Sequence, residues 1–190
     1  LTFTFLSASL IIEMLLGLGV ALLLAKELRG ARIFRTLIML PIVMTPAVVG
    51  MTWRVLFNPS FSIINYFAQY LGLYSKWTAD PRTVMPSLIL VDIWQWTPFV
   101  ALILLAGLQA LPREPFEAAQ IDGASSLRSF LHITLPLLSP IIMIAALFRL
   151  IDLVKTFDKI FVITRGGPGY SSETLAINAF RRTFISFDVG

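Results

Sequence analysis

Long runs of apolar residues set the main constraint on the fold of this chain. The first run covers residues 1–25 and contains a single charged side chain, Glu13. A helix needs about 20 mostly apolar residues to cross the hydrocarbon core of a bilayer. Similar runs cover residues 33–56, 83–108 and 136–163. Because only helices and closed barrels span a membrane, these lengths predict an all-α, polytopic transmembrane helix bundle with about four spanning helices.

The composition excludes an ordinary soluble domain. Charged residues make up 14% of the chain and hydrophobic residues 57%, with a mean hydropathy of +0.82, whereas soluble domains carry about 25% charged residues. The net charge of +4 comes from dispersed side chains, so it does not point to nucleic acid. The chain has no cysteine, which excludes disulfides and thiolate metal sites. We therefore expect a membrane protein without a metal site.

Prolines and chain ends shape the expected organisation. Pro41 and Pro46 lie inside the second apolar run, so we expect that span to be kinked or broken. Residues 63–71 form a short amphipathic piece that is expected at the membrane interface. The chain starts without Met and stops shortly after a polar stretch, so we expect a fragment that lacks helices at both ends.

The connecting segments predict an orientation. Residues 26–35 hold four basic side chains against one acidic side chain, and short loops rich in Lys and Arg stay in the cytoplasm. Alternation then places residues 57–82 outside, 109–135 inside and 165–190 outside. Three basic side chains lie on the outer side in this arrangement, against the rule: Arg165, Arg181 and Arg182.

The stretch EAAQIDGASSLRSFLHITLP, residues 117–136, is polar although it lies between two apolar runs. Gly123 suits the left-handed position that ends a helix, and Ser125 or Ser126 can cap a second short helix. Pro136 marks the expected entry into the fourth span. The pattern predicts a helix–turn–helix, which is either a self-contained hairpin on the membrane surface or a docking site for a partner protein.

Specific motifs resemble a known family. Glu117-Ala118-Ala119, three residues, Gly123, nine residues, Ile133, one residue and Leu135-Pro136 form a pattern that is similar to the EAA loop of bacterial ABC importer permeases. The stretch Thr164-Arg165-Gly166-Gly167-Pro168 resembles the sugar branch of these permeases, the maltose and glycerol-phosphate type. The resemblance implies a type I ABC importer permease (MetI-like) fold. It also implies one transmembrane permease domain over residues 1–190, incomplete at both ends, with the EAA loop at residues 109–135.

The resemblance further implies partners and a coupling role for the loop. In the family, this loop docks on a separate ATPase, which binds ATP and Mg, so no cofactor is expected in this chain. The expected partners are membrane lipid, a second permease subunit, two ATP-binding subunits, an extracytoplasmic solute-binding protein and a sugar substrate. The expected location is the cell (inner) membrane, with several passes. The expected ATPase-coupling residues are Glu117, Ala118, Ala119, Asp122, Gly123, Ile133, Leu135 and Pro136, and the expected periplasmic turn is Gly166, Gly167 and Pro168.

Polar side chains inside the apolar runs are candidates for a substrate pathway. Arg149, Asp152 and Lys155 have a spacing of three, so they share one helix face. Arg149 lies 13 residues after Pro136, which is about 20 Å along a helix and therefore deep in the bilayer. Charges at that depth normally face a bundle interior or a wet cavity. The candidate pathway residues are Asp92, Trp94, Gln95, Arg149 and Asp152. Each group also has an alternative to a pathway role. Arg149 and Asp152 only neutralise each other, or Trp94 and Trp96 only pack against neighbours or anchor the helix at the interface. Glu13 is either a contact between helices or a local departure from the family.

Other functions have less support in the sequence. An enzyme would need a set of catalytic residues, but the only histidine in the sequence, His132, has no second metal-ligand residue at a useful spacing. Residues 164–169 are rich in glycine but lack the Lys-Ser/Thr of a phosphate loop. A channel would need rings of like charge or a carbonyl filter, and the sequence shows no pattern for either. Within the permease class, the alternative substrates are amino acids, phosphate or polyamines.

Overall fold

A computed structural model describes residues 1–26, 31–58, 60, 62–71 and 76–187. These residues form helices and short turns, and none of them lies in a strand. A 3₁₀ turn covers Gln69–Leu71, and π-helical segments cover Phe130–Thr134 and Arg181–Ile185. In chain order, the α-helices are α1 (Thr2–Ala25), α2 (Ala31–Val43), α3 (Pro46–Leu56), α4 (Ile63–Ala68), α5 (Val84–Gln109), α6 (Glu114–Ile121), α7 (Ser126–Ser129), α8 (Leu135–Lys155), α9 (Asp158–Thr164) and α10 (Leu175–Phe180).

Among the described residues, three continuous helical segments are long and apolar enough to cross a membrane. They are Thr2–Ala25, Val84–Gln109 and Ser126–Lys155. A fourth candidate consists of Arg35–Val43 and Pro46–Leu56, which meet at an angle of 98°. By length and composition, the described part of the chain therefore offers three spans, or four if the bent pair counts as one.

The bend in this pair lies where Pro46 begins α3. Proline has no amide hydrogen and its ring clashes with the carbonyl four residues earlier, so an α-helix does not continue through it without distortion. Thr45 accordingly has an extended backbone, with φ −64° and ψ 145°. The Gln95 amide on α5 donates a hydrogen bond of 3.3 Å to the Met44 carbonyl. One side chain of α5 thus satisfies a backbone group that the break leaves without a helical partner.

The fourth span differs at both ends from the expected range of residues 136–163. Its helix begins at Ser126, because α7, the π segment and α8 are continuous. The wider π turn before Pro136 relieves the contact between the proline ring and the preceding turn, so the helix passes through. At the other end, Thr156 is extended with ψ 108°, and its hydroxyl donates to the Asp152 carbonyl at 3.1 Å. The helix therefore ends at Lys155, and α9 starts separately.

Two apolar clusters fill the bundle. The first includes Phe5 on α1 and Leu153 on α8, and the second includes Ala21 on α1 and Leu138 on α8. Between these positions along α1 lies Glu13, which is fully buried. A charged layer therefore separates the two apolar clusters.

The contact between α1 and α5 is close because Gly17 lacks a side chain. A Cβ built on Gly17 would lie 2.6 Å from Cγ1 of Val100, a distance that real Cβ atoms do not show. In a membrane, lipid is as apolar as the helices, so association depends on this kind of close packing at small residues and on polar contacts.

Candidate functional site

A buried ionic cluster occupies the charged layer, and we define it as Glu13, Asp92, Arg149, Asp152 and Lys159. Arg149 lies at its centre. Its Nε donates to Glu13 Oε2 at 2.7 Å, and its Nη2 donates to Glu13 Oε1 at 3.0 Å. Nη2 also donates to Asp92 Oδ2 at 3.0 Å, and Nη1 donates to Asp152 Oδ2 at 2.7 Å. One guanidinium therefore joins α1 and α5 to α8.

Asp92 has a second cationic partner on α9. The Lys159 ammonium donates to the other carboxylate oxygen of Asp92 and to the Gln95 carbonyl oxygen at 3.4 Å. Because Gln95 also donates to the Met44 carbonyl, the network extends from the ionic cluster to the bend between α2 and α3. The polar residues in the middle of α5 thus bind three other parts of the bundle.

The Trp96 indole covers the cationic side of the cluster. The guanidinium carbon of Arg149 lies 4.7 Å from the Trp96 ring centroid, and the Lys159 nitrogen lies 5.9 Å from it. Cations at such distances are attracted by the negative face of the ring, by about 0.5–2 kcal/mol. Trp96 therefore contributes to holding both cations in place.

Burial makes the pairing essential. Glu13, Asp92 and Arg149 are at most 1% exposed, and an ion in such surroundings carries a desolvation cost of several kcal/mol. The cost is offset only if every charge has partners with good geometry. The cluster achieves this with three carboxylates around two cations, so it connects α1, α5, α8 and α9.

The structure brings together four of the five predicted pathway residues. Asp92, Gln95, Arg149 and Asp152 belong to one network, in which Asp92 and Arg149 face each other and not lipid. The Asp152 side chain is 47% exposed and lines a cavity of about 90 Å³ together with Trp96 and Lys155. Trp94 lies elsewhere, on a cavity of about 430 Å³ between α1, α2 and α5.

Two members of the cluster are not among the predicted site residues. Glu13, for which the sequence favours no single role, is the bidentate partner of Arg149. Lys159, which no sequence pattern marks, pairs with Asp92. The available signal was charge balance, because a charge inside an apolar run needs an opposite charge close to it in the fold. Spacing along the chain could not reveal these contacts, which join residues 136 and 67 positions apart.

The second candidate site is the hairpin between α5 and α8, which we define as residues 114–136. Its first helix, α6, has Asp122 at its C-terminal cap, and Gly123 follows with φ +69°. The Ser125 hydroxyl caps the next helix by accepting a hydrogen bond of 3.4 Å from the Arg128 amide. The turn therefore needs a residue without a Cβ at position 123 and an acceptor at position 125.

Much of the hairpin surface is exposed. Glu117 has no ion pair within the described part of the chain and lines an open cavity of about 600 Å³ beside Arg113 and Gln120. Ile121 and Leu127 are 87% and 67% exposed, which is high for large apolar side chains. Of the predicted coupling residues, five are exposed (Glu117, Ala118, Asp122, Gly123 and Pro136) and three are partly buried (Ala119, Ile133 and Leu135).

The glycine-rich stretch after α9 forms a tight turn. Gly166 has φ +88°, and the Thr164 and Ser172 hydroxyls lie 2.7 Å apart. The Ser172 hydroxyl also contacts the Gly167 carbonyl at 2.7 Å. These contacts make the stretch from Gly166 to Pro168 a closed turn that connects α9 with α10.

Long apolar helices, a span broken at a proline and an exposed hairpin between two spans define a helical membrane-protein fold. The fold is similar to that in a crystal structure of a bacterial alginate ABC transporter in complex with an alginate pentasaccharide-bound periplasmic protein. The TM-score is 0.85 at 22% identity, over 98% of this chain and 66% of that chain. The chain belongs to the family of binding-protein-dependent transport system inner membrane components, which matches residues 7–187.

Relatives within this family share a large part of the sequence. The probable ABC transporter permease protein y4oQ of Sinorhizobium fredii is 45% identical over 94% of this chain and 58% of its own length. The trehalose/maltose transport system permease protein MalF of Thermococcus litoralis is 39% identical over 94% of this chain and 60% of its own length. The chain thus spans about 60% of the length of these relatives. The predicted fold class and family are confirmed.

Proposed function

We propose that this chain is the membrane-spanning permease subunit of an ATP-driven importer that moves a sugar or a sugar derivative by alternating access. The observation that carries the proposal is the hairpin, an exposed pair of helices between two long apolar helices. Its exposed Glu117, Ile121 and Leu127 offer one charge and two apolar side chains to a partner protein.

The continuity of the fourth span suggests how force reaches the bundle. The helix from Ser126 to Lys155 has 30 residues, which is about 45 Å at 1.5 Å per residue. Its first turns belong to the hairpin, and Arg149 lies near its other end. A displacement of the hairpin by a partner ATPase would therefore be transmitted along one continuous helix to the ionic cluster. ATP and Mg would be bound by two partner subunits, and this chain would need no cofactor.

The substrate pathway is proposed beside the ionic cluster. Asp152 and Lys155 offer an acceptor and donors on a cavity that Trp96 also lines, and sugars bind through such polar groups and through stacking on indoles. Buried Asp92 and Arg149 would hold this side of the cavity in place. Gln95 would connect it to the bend between α2 and α3. The names of the relatives, a trehalose/maltose permease and an alginate transporter, support a saccharide as the substrate.

The proposed assembly follows the orientation that the basic connector at residues 26–35 favours. The hairpin would face the cytoplasm and two ATP-binding subunits, and the turn at Gly166–Pro168 would face an extracytoplasmic solute-binding protein. The exposed apolar faces of α8, which include Met143 and Phe148, would contact membrane lipid and a second permease subunit. The chain would cross a cell (inner) membrane several times.

The substitution Gly123→Asp tests the coupling role. It adds a carboxylate to the exposed turn at a position with φ +69°, so the docking surface of the hairpin should change in charge and backbone angle while the spans stay folded. Gly169→Asp is the matched control, because Gly169 also has positive φ and open space around it. In proteoliposomes with the partner subunits, Gly123→Asp should abolish ATP-dependent uptake of radiolabelled saccharides and leave insertion unchanged. Normal uptake by Gly123→Asp would refute the proposal.

A further inference from the structure

An open apolar groove lies on the side of the bundle, away from the ionic cluster. Its volume of about 430 Å³ is within the range of about 300–1,000 Å³ that ligand sites usually have. Leu16 and Val20 of α1 form one wall, Leu37 and Ile38 of α2 form another, and Trp94 of α5 lies at the base. Leu16, Leu37 and Trp94 are between 40% and 56% exposed, so nothing in the described chain covers the groove.

A polar group marks the inside of this groove. Thr97 lines it one turn along α5 from Trp94, and its hydroxyl is buried without a hydrogen-bond partner in the described part of the chain. A buried hydroxyl without a partner carries a desolvation cost. An occupant with an ester oxygen along an apolar chain would satisfy it.

A basic side chain lies one helical turn beyond the groove. Arg35 precedes Ile38 on α2, and its Nη2 donates to the Leu24 carbonyl at 2.9 Å, one turn after Val20 on α1. The Nε of Arg35 is buried and has no partner among the described residues. The groove therefore leads from apolar walls to a cationic end.

We propose that this groove binds one anionic phospholipid, with an acyl chain against Trp94 and the headgroup phosphate at Arg35. Basic pockets between transmembrane helices are the sites that select anionic headgroups, and an unpaired guanidinium N–H is a suitable phosphate donor. The apolar walls alone would accept any lipid. The charge at one end distinguishes an anionic lipid from a zwitterionic lipid and from an apolar helix of another subunit.

Quenching of tryptophan fluorescence by brominated lipid tests this site. The complete transporter is placed in nanodiscs with brominated phosphatidylglycerol or, at equal mole fraction, brominated phosphatidylcholine. Subtraction of the Trp94→Phe variant isolates the emission of Trp94. We expect brominated phosphatidylglycerol to occupy the groove about fivefold more than brominated phosphatidylcholine, the preference that one basic side chain gives beside a phosphate.

Arg35→Gln should remove this preference. Arg54→Gln is the matched control, because Arg54 also donates to a backbone carbonyl, that of Val162, but does not line the groove; it should keep the preference. Leu16→Phe fills the groove without touching Arg35 and should reduce quenching by both lipids, which keeps the test informative if Arg35→Gln does not fold. Equal quenching by the two lipids would overturn the proposal. Trp94 emission that neither lipid quenches would also overturn it and would indicate a protein segment in the groove.

Discussion

Arg149 donates hydrogen bonds to carboxylates on α1, on α5 and on its own helix, so a change of this residue alters three contacts together. Its removal would leave Glu13 and Asp92, both fully buried, without their shared cation. Like charges at that depth repel each other and neither can reach water. Breaking a buried ion pair by removal of one partner typically costs about 3–5 kcal/mol.

The substitution Arg149→Met should therefore lower the free energy of unfolding of the purified protein by about 3–5 kcal/mol. Lys155→Met is the matched control on the same helix, because Lys155 is exposed and outside the cluster; its effect should stay within about 0.5 kcal/mol. Unfolding in detergent with increasing denaturant, followed by tryptophan fluorescence, measures both. Equal effects of the two substitutions would show that the cluster does not stabilise the fold.

Some single residues could be interpreted from the sequence and others could not. Gly123 and Ser125 were predictable, because their roles depend on φ and on a cap three residues away. Glu13 and Lys159 depend on contacts with distant segments. Local spacing carries no information about such contacts. The need of each charge in an apolar run for an opposite charge was the available signal.

At the scale of helices, close approach at small residues determines how α1 lies on α5. Gly17 faces Val100 at a distance that leaves no room for a side chain, whereas Gly19 has nothing within 4 Å. The two glycines are two positions apart on the same helix, so they have nearly the same intrinsic cost when replaced. The difference in stability between the two replacements therefore measures the packing contact of Gly17 with Val100.

We expect Gly17→Leu to destabilise the protein by about 1–3 kcal/mol or more, because the added side chain must push α1 away from α5. Gly19→Leu should be neutral or slightly stabilising, since leucine favours the helix and points into open space. Thermal unfolding monitored by size-exclusion chromatography compares the two. A Gly19→Leu protein that is as unstable as Gly17→Leu would contradict this packing.

The sequence predicted the apolar helices more reliably than their ends. The run 1–25 and the helix Thr2–Ala25 agree closely, because nearly every residue of the run is apolar and its length matches one membrane span. The end of the fourth span was expected near Ile163 but lies at Lys155. Residues 156–163 continue the apolar run in the sequence, yet the helix ends before the extended Thr156. The residues after it form α9, which packs on α3.

At the scale of the whole molecule, the proposed coupling requires the hairpin and the turn after α9 to face opposite sides of the membrane. Ile121 in the hairpin and Tyr170 after the turn are both well exposed, at 87% and 70%. The chain has no cysteine of its own, so a single introduced cysteine reports its position without background from this chain.

The measurement that tests the account most directly is labelling of Ile121→Cys and Tyr170→Cys with a membrane-impermeant maleimide in sealed vesicles of known orientation. Ile121→Cys should react only from the cytoplasmic side, and added ATP-binding subunits should protect it. Tyr170→Cys should react only from the opposite side and stay unprotected. If Ile121→Cys reacts from the outer side, or if the ATP-binding subunits leave it fully reactive, the hairpin does not couple ATP hydrolysis to this permease.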